Sequence, residues 1–148
     1  MSLFTVLGDQ DQVAKEPQRS TRGSVGYDLR SNSKEPIYIP KWSQEVIPTG
    51  YGVEGEKAAF VLSRSGLAAK NGVSVLNAPG LIDMDYEGEI KIILSTRSTD
   101  FTVNFNDRIA QLVFFDDLDY YSRRAMLGLP SHTEDLRGSG GFGSSGVK

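Results

Sequence analysis

From Tyr27 onward the chain runs as short apolar segments separated by Gly, Pro, Asn and Asp, and no long segment carries a 3.6-residue period. That pattern constrains the fold more than any other feature. Ile37–Ile39, Glu45–Ile47, Ala59–Leu62, Val73–Leu76, Glu89–Leu94, Phe101–Val103 and Ile109–Phe115 are strand-length and rich in β-branched and aromatic residues. Many short strands at regular spacing predict an all-β jelly roll or barrel. Leu3–Leu7 reads as a short edge strand and Asp9–Ser20 as a polar loop. One short helix is predicted, with Ser65 as its cap, Gly66–Lys70 as its body and Asn71-Gly72 as its end. At 148 residues the chain suits one domain able to bury its own core.

Charge and residue counts narrow the chemistry. A net charge of -3 argues against a nucleic-acid surface, which reads as a basic patch. With no cysteine there is neither a disulfide framework nor a thiolate nucleophile. The single histidine, His132, lies in a polar stretch without the partners of a Ser-His-Asp triad or a multi-His metal site. Chemistry is left to carboxylates, hydroxyls and arginine. No apolar run approaches a membrane span and no signal peptide is visible, so a soluble cytoplasmic protein is expected.

Five segments carry candidate chemistry. The run Arg137–Gly146 holds five of the 16 glycines together with an Arg, a phenyl ring and three serines. Gly loses the most backbone entropy on ordering, so this run cannot support a core. It reads either as a Gly/Ser tail or as an arm that wraps a phosphorylated, ring-containing ligand.

In Asn77–Glu89, the Pro79-Gly80 pair is a turn signal. Extended backbone beyond it would put Asp83 and Asp85 on one face and Ile82 and Met84 on the other. A carboxylate at a strand end can act as a general base on a water; the plain alternative is a solvated acidic hairpin.

Ser63-Arg64-Ser65-Gly66 follows a strand and opens the helix, where free N–H groups and an Arg suit an anion. Equally, it can be an ordinary helix start with a solvent-facing Arg. Gly26-Tyr27-Asp28-Leu29-Arg30 turns into a strand. Asp28 there can hold waters around a cation or pair with an Arg. Arg108–Phe115 is apolar on both faces apart from Arg108 and Gln111, the pattern of a doubly buried strand. A buried Gln111 amide needs partners, structural or site-facing.

Together, in order and spacing, these five pieces resemble the five motifs of the homotrimeric deoxyuridine triphosphatase (dUTPase) family. The resemblance runs from about Gly23 to Gly146. Val25 sits where the family usually has a small residue and Ser63 where it often has Pro; neither alters a group expected to do chemistry. The resemblance implies a distorted jelly-roll barrel with one short helix, assembled as a trimer. Residues 1–136 would form the barrel, and 137–148 an arm closing over a neighbour's active site. It implies dUTP as substrate, hydrolysed to dUMP and pyrophosphate with Mg2+.

By the same resemblance, Asp83 corresponds to the base that orients the attacking water. Asn77, with backbone around Gly80 and Ile82, corresponds to the uracil reader. Tyr86 corresponds to the ring that leaves no room for a 2′-hydroxyl. Arg64, Ser65, Gly66 and Gln111 correspond to the triphosphate grip, and Asp28 to water-mediated support of Mg2+. Phe142 corresponds to the ring stacked on uracil, and Arg137, Gly143, Ser144 and Ser145 to the arm's nucleotide contacts. A dCTP deaminase of the same fold is the nearest alternative. An additional regulatory protein partner would dock on the N-terminal 20 residues or on Asp119–Asp135.

Overall fold

The computed structural model describes residues 2–115, 125–128 and 142. Eleven strands and one helix are formed among them. In chain order these are β1 (Phe4–Val6), β2 (Tyr27–Arg30), β3 (Ile37–Ile39), β4 (Gln44–Pro48), β5 (Tyr51–Val53) and β6 (Ala58–Leu62). Then follow α1 (Ser65–Asn71), β7 (Val73–Val75), β8 (Gly80–Ile82), β9 (Lys91–Thr96), β10 (Phe101–Val103) and β11 (Arg108–Phe115). The predicted all-β class with one short helix is what forms.

The strands make four small sheets, every pairing antiparallel. The largest runs β2-β11-β6-β8, a second runs β4-β9-β7, and the pairs β1-β5 and β10-β3 complete the set. Their inner faces close on one core in which Leu29, Ile39, Ile47, Ile92, Leu94, Ile109 and Leu112 are almost fully buried. Each such side chain contributes about 1.5–3 kcal/mol over leaving it exposed. Polar groups inside are paired, as burial requires: Thr49 Oγ1 donates to Ile90 O at 2.6 Å and the Tyr51 hydroxyl to Ala14 O at 2.7 Å.

Three local expectations change. Pro79-Gly80 does not make the turn, because Gly80 already pairs with Val61 as the first residue of β8; the turn lies just before it, closed by the Ala78 N–H on Val75 O. Asp83 and Asp85 do not share a strand face. The backbone leaves extended geometry at Asp83 and turns, with the Tyr86 N–H on Asp83 O at 3.1 Å. Ser65 is not the helix cap. Arg64 holds that position in extended backbone with no side-chain cap bond, and Ser65 is the first helical residue. The helix end is as predicted, with Gly72 in the left-handed region at φ 63°.

The polar segment before β2 is a strap rather than a free loop. Ala14 N–H donates to Asn32 Oδ1 and Lys15 N–H to Asn106 Oδ1, both at 2.8 Å. Gln18 then bridges Asp28 in antiparallel fashion alongside β2.

Candidate active site

Two clusters gather most of the predicted residues. The first is a cavity of about 330 Å3. Its walls are Val61 of β6, Val75 of β7, Gly80 and Ile82 of β8, Asn77 between those strands, and Tyr86 beyond them. Phe142, far beyond β7 in the sequence, lines the same cavity and is itself exposed. The chemistry of the lining is mixed: apolar walls, one amide and backbone polar groups suit a planar ring with hydrogen-bonding edges.

Local folding explains how these groups converge. β8 pairs with β6 at Ala59↔Ile82 and Val61↔Gly80, which anchors the segment after Asn77. Gly80 lies beside Asn77, since a Cβ there would make ordinary contact with Asn77 Nδ2 at 3.4 Å. Tyr86 is fixed by its hydroxyl, which donates to Glu89 O at 2.8 Å. Asp83 is half-buried, directly follows Ile82 and opens the turn that carries Tyr86.

The second cluster is ionic. β11 sits between β2 and β6, opposing Gln111 to Asp28 on one side and to Leu62 on the other. Asp28 Oδ1 lies 3.8 Å from Arg64 Nε, and Oδ2 lies 3.4 Å from an Arg108 Nη1. Arg64 Nη1 also donates to Arg108 O at 2.9 Å. Arg30 is the cross-strand partner of Arg108 and donates to Asn106 O, while Arg64 and Arg108 both face the Asp28 carboxylate. Burial, then the Arg108 charge, holds the Arg64 guanidinium below its usual range; Asp28 opposes that shift and Arg30 adds to it. Two cations against a single counter-ion suit an anion.

Gln111 Nε2 donates to Ser63 O at 2.9 Å, leaving Oε1 against Gly26. Ser65 and Gly66 are exposed at the first turn of α1. Arg137, Gly143, Ser144 and Ser145 lie outside the described residues.

Among the described residues, no group of three or more His, Cys, Asp or Glu side chains is placed to cage a metal ion. Asp28 is, among the described residues, the carboxylate that pairs with Arg64 and Arg108. Mg2+ keeps several waters and travels on phosphates, so a single carboxylate beside an anion site fits water-mediated support.

The family model described as dUTPase matches residues 12–146. The chain belongs to the dUTPase family. Its relatives include the deoxyuridine 5'-triphosphate nucleotidohydrolase of Legionella pneumophila strain Paris, 45% identical over 134 residues, 88% of this chain and 86% of that protein. The enzyme of the same name from Rickettsia bellii strain OSU 85-389 is 43% identical over 136 residues, 90% of this chain and 88% of that one. Among solved structures, the dUTPase of Streptococcus mutans is 25% identical with TM-score 0.66, covering 78% of this chain and 95% of that one. The dUTPase of S. aureus phage phi11 shares the fold at 19% identity and TM-score 0.65, over 90% and 97% of the two chains. The distorted jelly roll expected of this family member is thereby its fold.

Sequence reading gave no site role to three residues near these clusters. Lys91 lines the cavity from the start of β9. Arg108 completes the ionic cluster. Ser20, from the strap, donates to Asp28 Oδ2 at 2.7 Å. Arg108 carried a signal, as the charged residue at the head of a doubly buried strand. Ser20 carried none, because its role depends on where the strap is laid.

Proposed function

We propose that this dUTPase-family chain hydrolyses dUTP to dUMP and pyrophosphate. The observation that carries the reading is the convergence of Asn77, Gly80, Ile82, Tyr86 and Phe142 on one cavity of about 330 Å3. Asn77 and the β8 backbone would read the O4 and N3–H edge of uracil; cytosine presents the reverse donor pattern there. The Tyr86 ring would pack on the deoxyribose, so that a 2′-hydroxyl would be buried without a partner. Phe142 would stack on the base.

Arg64, Ser65, Gly66 and Gln111 would hold the triphosphate, joined by Arg137, Gly143, Ser144 and Ser145 of the arm. Asp83 would accept a proton from the attacking water as its oxygen bonds to the α-phosphorus. The bond from that phosphorus to the oxygen bridging to the β-phosphate breaks, and pyrophosphate leaves. Ser65 Oγ would sit where charge develops on the leaving group. Mg2+, supported through water by Asp28, supplies charge neutralisation on the phosphates when bound. Sites shared in a homotrimer, with the arm of one chain over another's cavity, complete the reading.

A pyrophosphate-release assay with Mg2+ across dUTP, dTTP, dCTP and UTP tests it. Turnover of dUTP alone is expected. Ammonia release from dCTP, with dUTP left intact, would overturn it in favour of a deaminase. Light scattering should give three times the chain's 16.2 kDa.

A further inference from the structure

The strap before β2 reaches into the ionic cluster at one point. Gln18 O accepts the Asp28 N–H at 2.8 Å, and two residues later Ser20 Oγ donates to Asp28 Oδ2 at 2.7 Å. The same Oδ2 faces Arg108 at 3.4 Å, and Oδ1 faces Arg64 Nε at 3.8 Å. Ser20 therefore makes the shortest of the three polar side-chain contacts to this carboxylate. A carboxyl group can rotate about its Cβ–Cγ bond, and the two guanidinium contacts are long enough to leave that rotation loose. The Ser20 bond is short and pins Oδ2.

The geometry points to Ser20 as a positioning residue of the anion site. It fixes the plane of the Asp28 carboxylate, so that one oxygen serves Arg108 and the other Arg64. Its reach depends on the strap, which is fastened at Ala14 and Lys15 by the carboxamide oxygens of Asn32 and Asn106. Without the Ser20 hydroxyl the carboxylate turns. The Arg64 and Arg108 cations then lose their aligned counter-ion, and Arg64 shifts away from where it receives phosphate. Ser20 touches no ligand in this account, so it belongs to affinity for the phosphate chain rather than to the chemical step. The inference rests on the triphosphate reading of Arg64 given above.

The test uses the full-length chain and two readouts. The first is the affinity of inorganic tripolyphosphate with Mg2+ by calorimetry. The second is dUTP turnover. Ser20→Ala should weaken tripolyphosphate binding and raise KM by about two- to fivefold, the range of one solvent-accessible hydrogen bond, with kcat and Tm unchanged. Ser20→Thr, which keeps the hydroxyl, should restore both. In an Asp28→Asn background the Ser20→Ala change should add nothing further, because its effect passes through that carboxylate.

Wild-type affinity and KM in Ser20→Ala would overturn the proposal, as would an undiminished effect in the Asp28→Asn background. Absence of tripolyphosphate binding to the wild-type chain would overturn it too. A chain that binds tripolyphosphate in a Ser20-dependent way but leaves dUTP intact would refute the hydrolase reading and leave Ser20's role standing.

Discussion

Gln111 and Gly26 fit each other as side chain and space. The amide Nε2 of Gln111 is committed to Ser63 O at 2.9 Å, so Oε1 is turned toward the Gly26 backbone, where a Cβ would stand 2.5 Å from it. The glycine thus leaves the space that the Oε1 end of the amide takes.

Gly26→Ala should therefore act on ligand affinity more than on folding. The colliding atom is the tip of a side chain that can swing away, so a stability loss of about 1 kcal/mol is expected. Swinging away breaks the Ser63 bond, and KM for dUTP should rise about tenfold. Thermal melts and steady-state kinetics on the same preparation separate the two effects; a large Tm drop with unchanged KM would count against this account of Gln111.

Asp83→Asn keeps the shape of the turn that opens after Ile82 and removes the base. Nucleotide binding by calorimetry should stay within about twofold of wild type, while turnover falls about 10²–10⁴-fold, the usual worth of a positioned base. Near-normal turnover in this variant would move the base elsewhere.

Tyr86 offers two separable changes. Tyr86→Phe removes the hydroxyl that donates to Glu89 O at 2.8 Å and should cost about 1 kcal/mol of stability with sugar selectivity retained. Tyr86→Ala removes the ring and should admit UTP. Strict rejection of UTP by Tyr86→Ala would place the sugar filter on another residue.

Removing residues 137–148 takes away Phe142 from the cavity wall while leaving the barrel strands intact. Turnover should fall sharply and the sedimentation coefficient should still report the intact assembly. A truncated chain that fails to assemble would make the arm a structural element instead.

Much of the fold is legible in the sequence because its strands are short and bounded by turn residues. Ile37–Ile39 and Phe101–Val103 are strands with the predicted bounds, and they pair with each other. Tyr51–Val53 and Gly80–Ile82 were not predicted as strands, since their glycines signal turns locally. Partner strands supply the pairing that overrides that signal: β1 pairs with Tyr51–Val53 and β6 with Gly80–Ile82.

Asn77, Gly80, Ile82 and Tyr86 of the cavity stand close together in the sequence, and so could be read as a unit. The ionic cluster could be read only in part. Asp28 and Arg64 announce themselves by residue type, but Arg108 meets Asp28 through a cross-strand register that shifts between Arg108 and Ala110. Ser20 meets Asp28 through a strap held by Asn32 and by Asn106, the latter far along the chain. Such contacts are tertiary facts with no local pattern to mark them.

The order of the largest sheet has a consequence for how the chain is made. β2 brings Asp28, β6 leads to Arg64, and the two strands are joined only through β11, the last strand to be synthesised among those described. A nascent chain that has emerged as far as β10 holds both halves of the anion site with nothing between them. The Asp28–Arg64 pairing therefore comes together in one step, when the final strand slots into the middle of the sheet. On the triphosphate reading, a chain stopped before β11 would lack that grip.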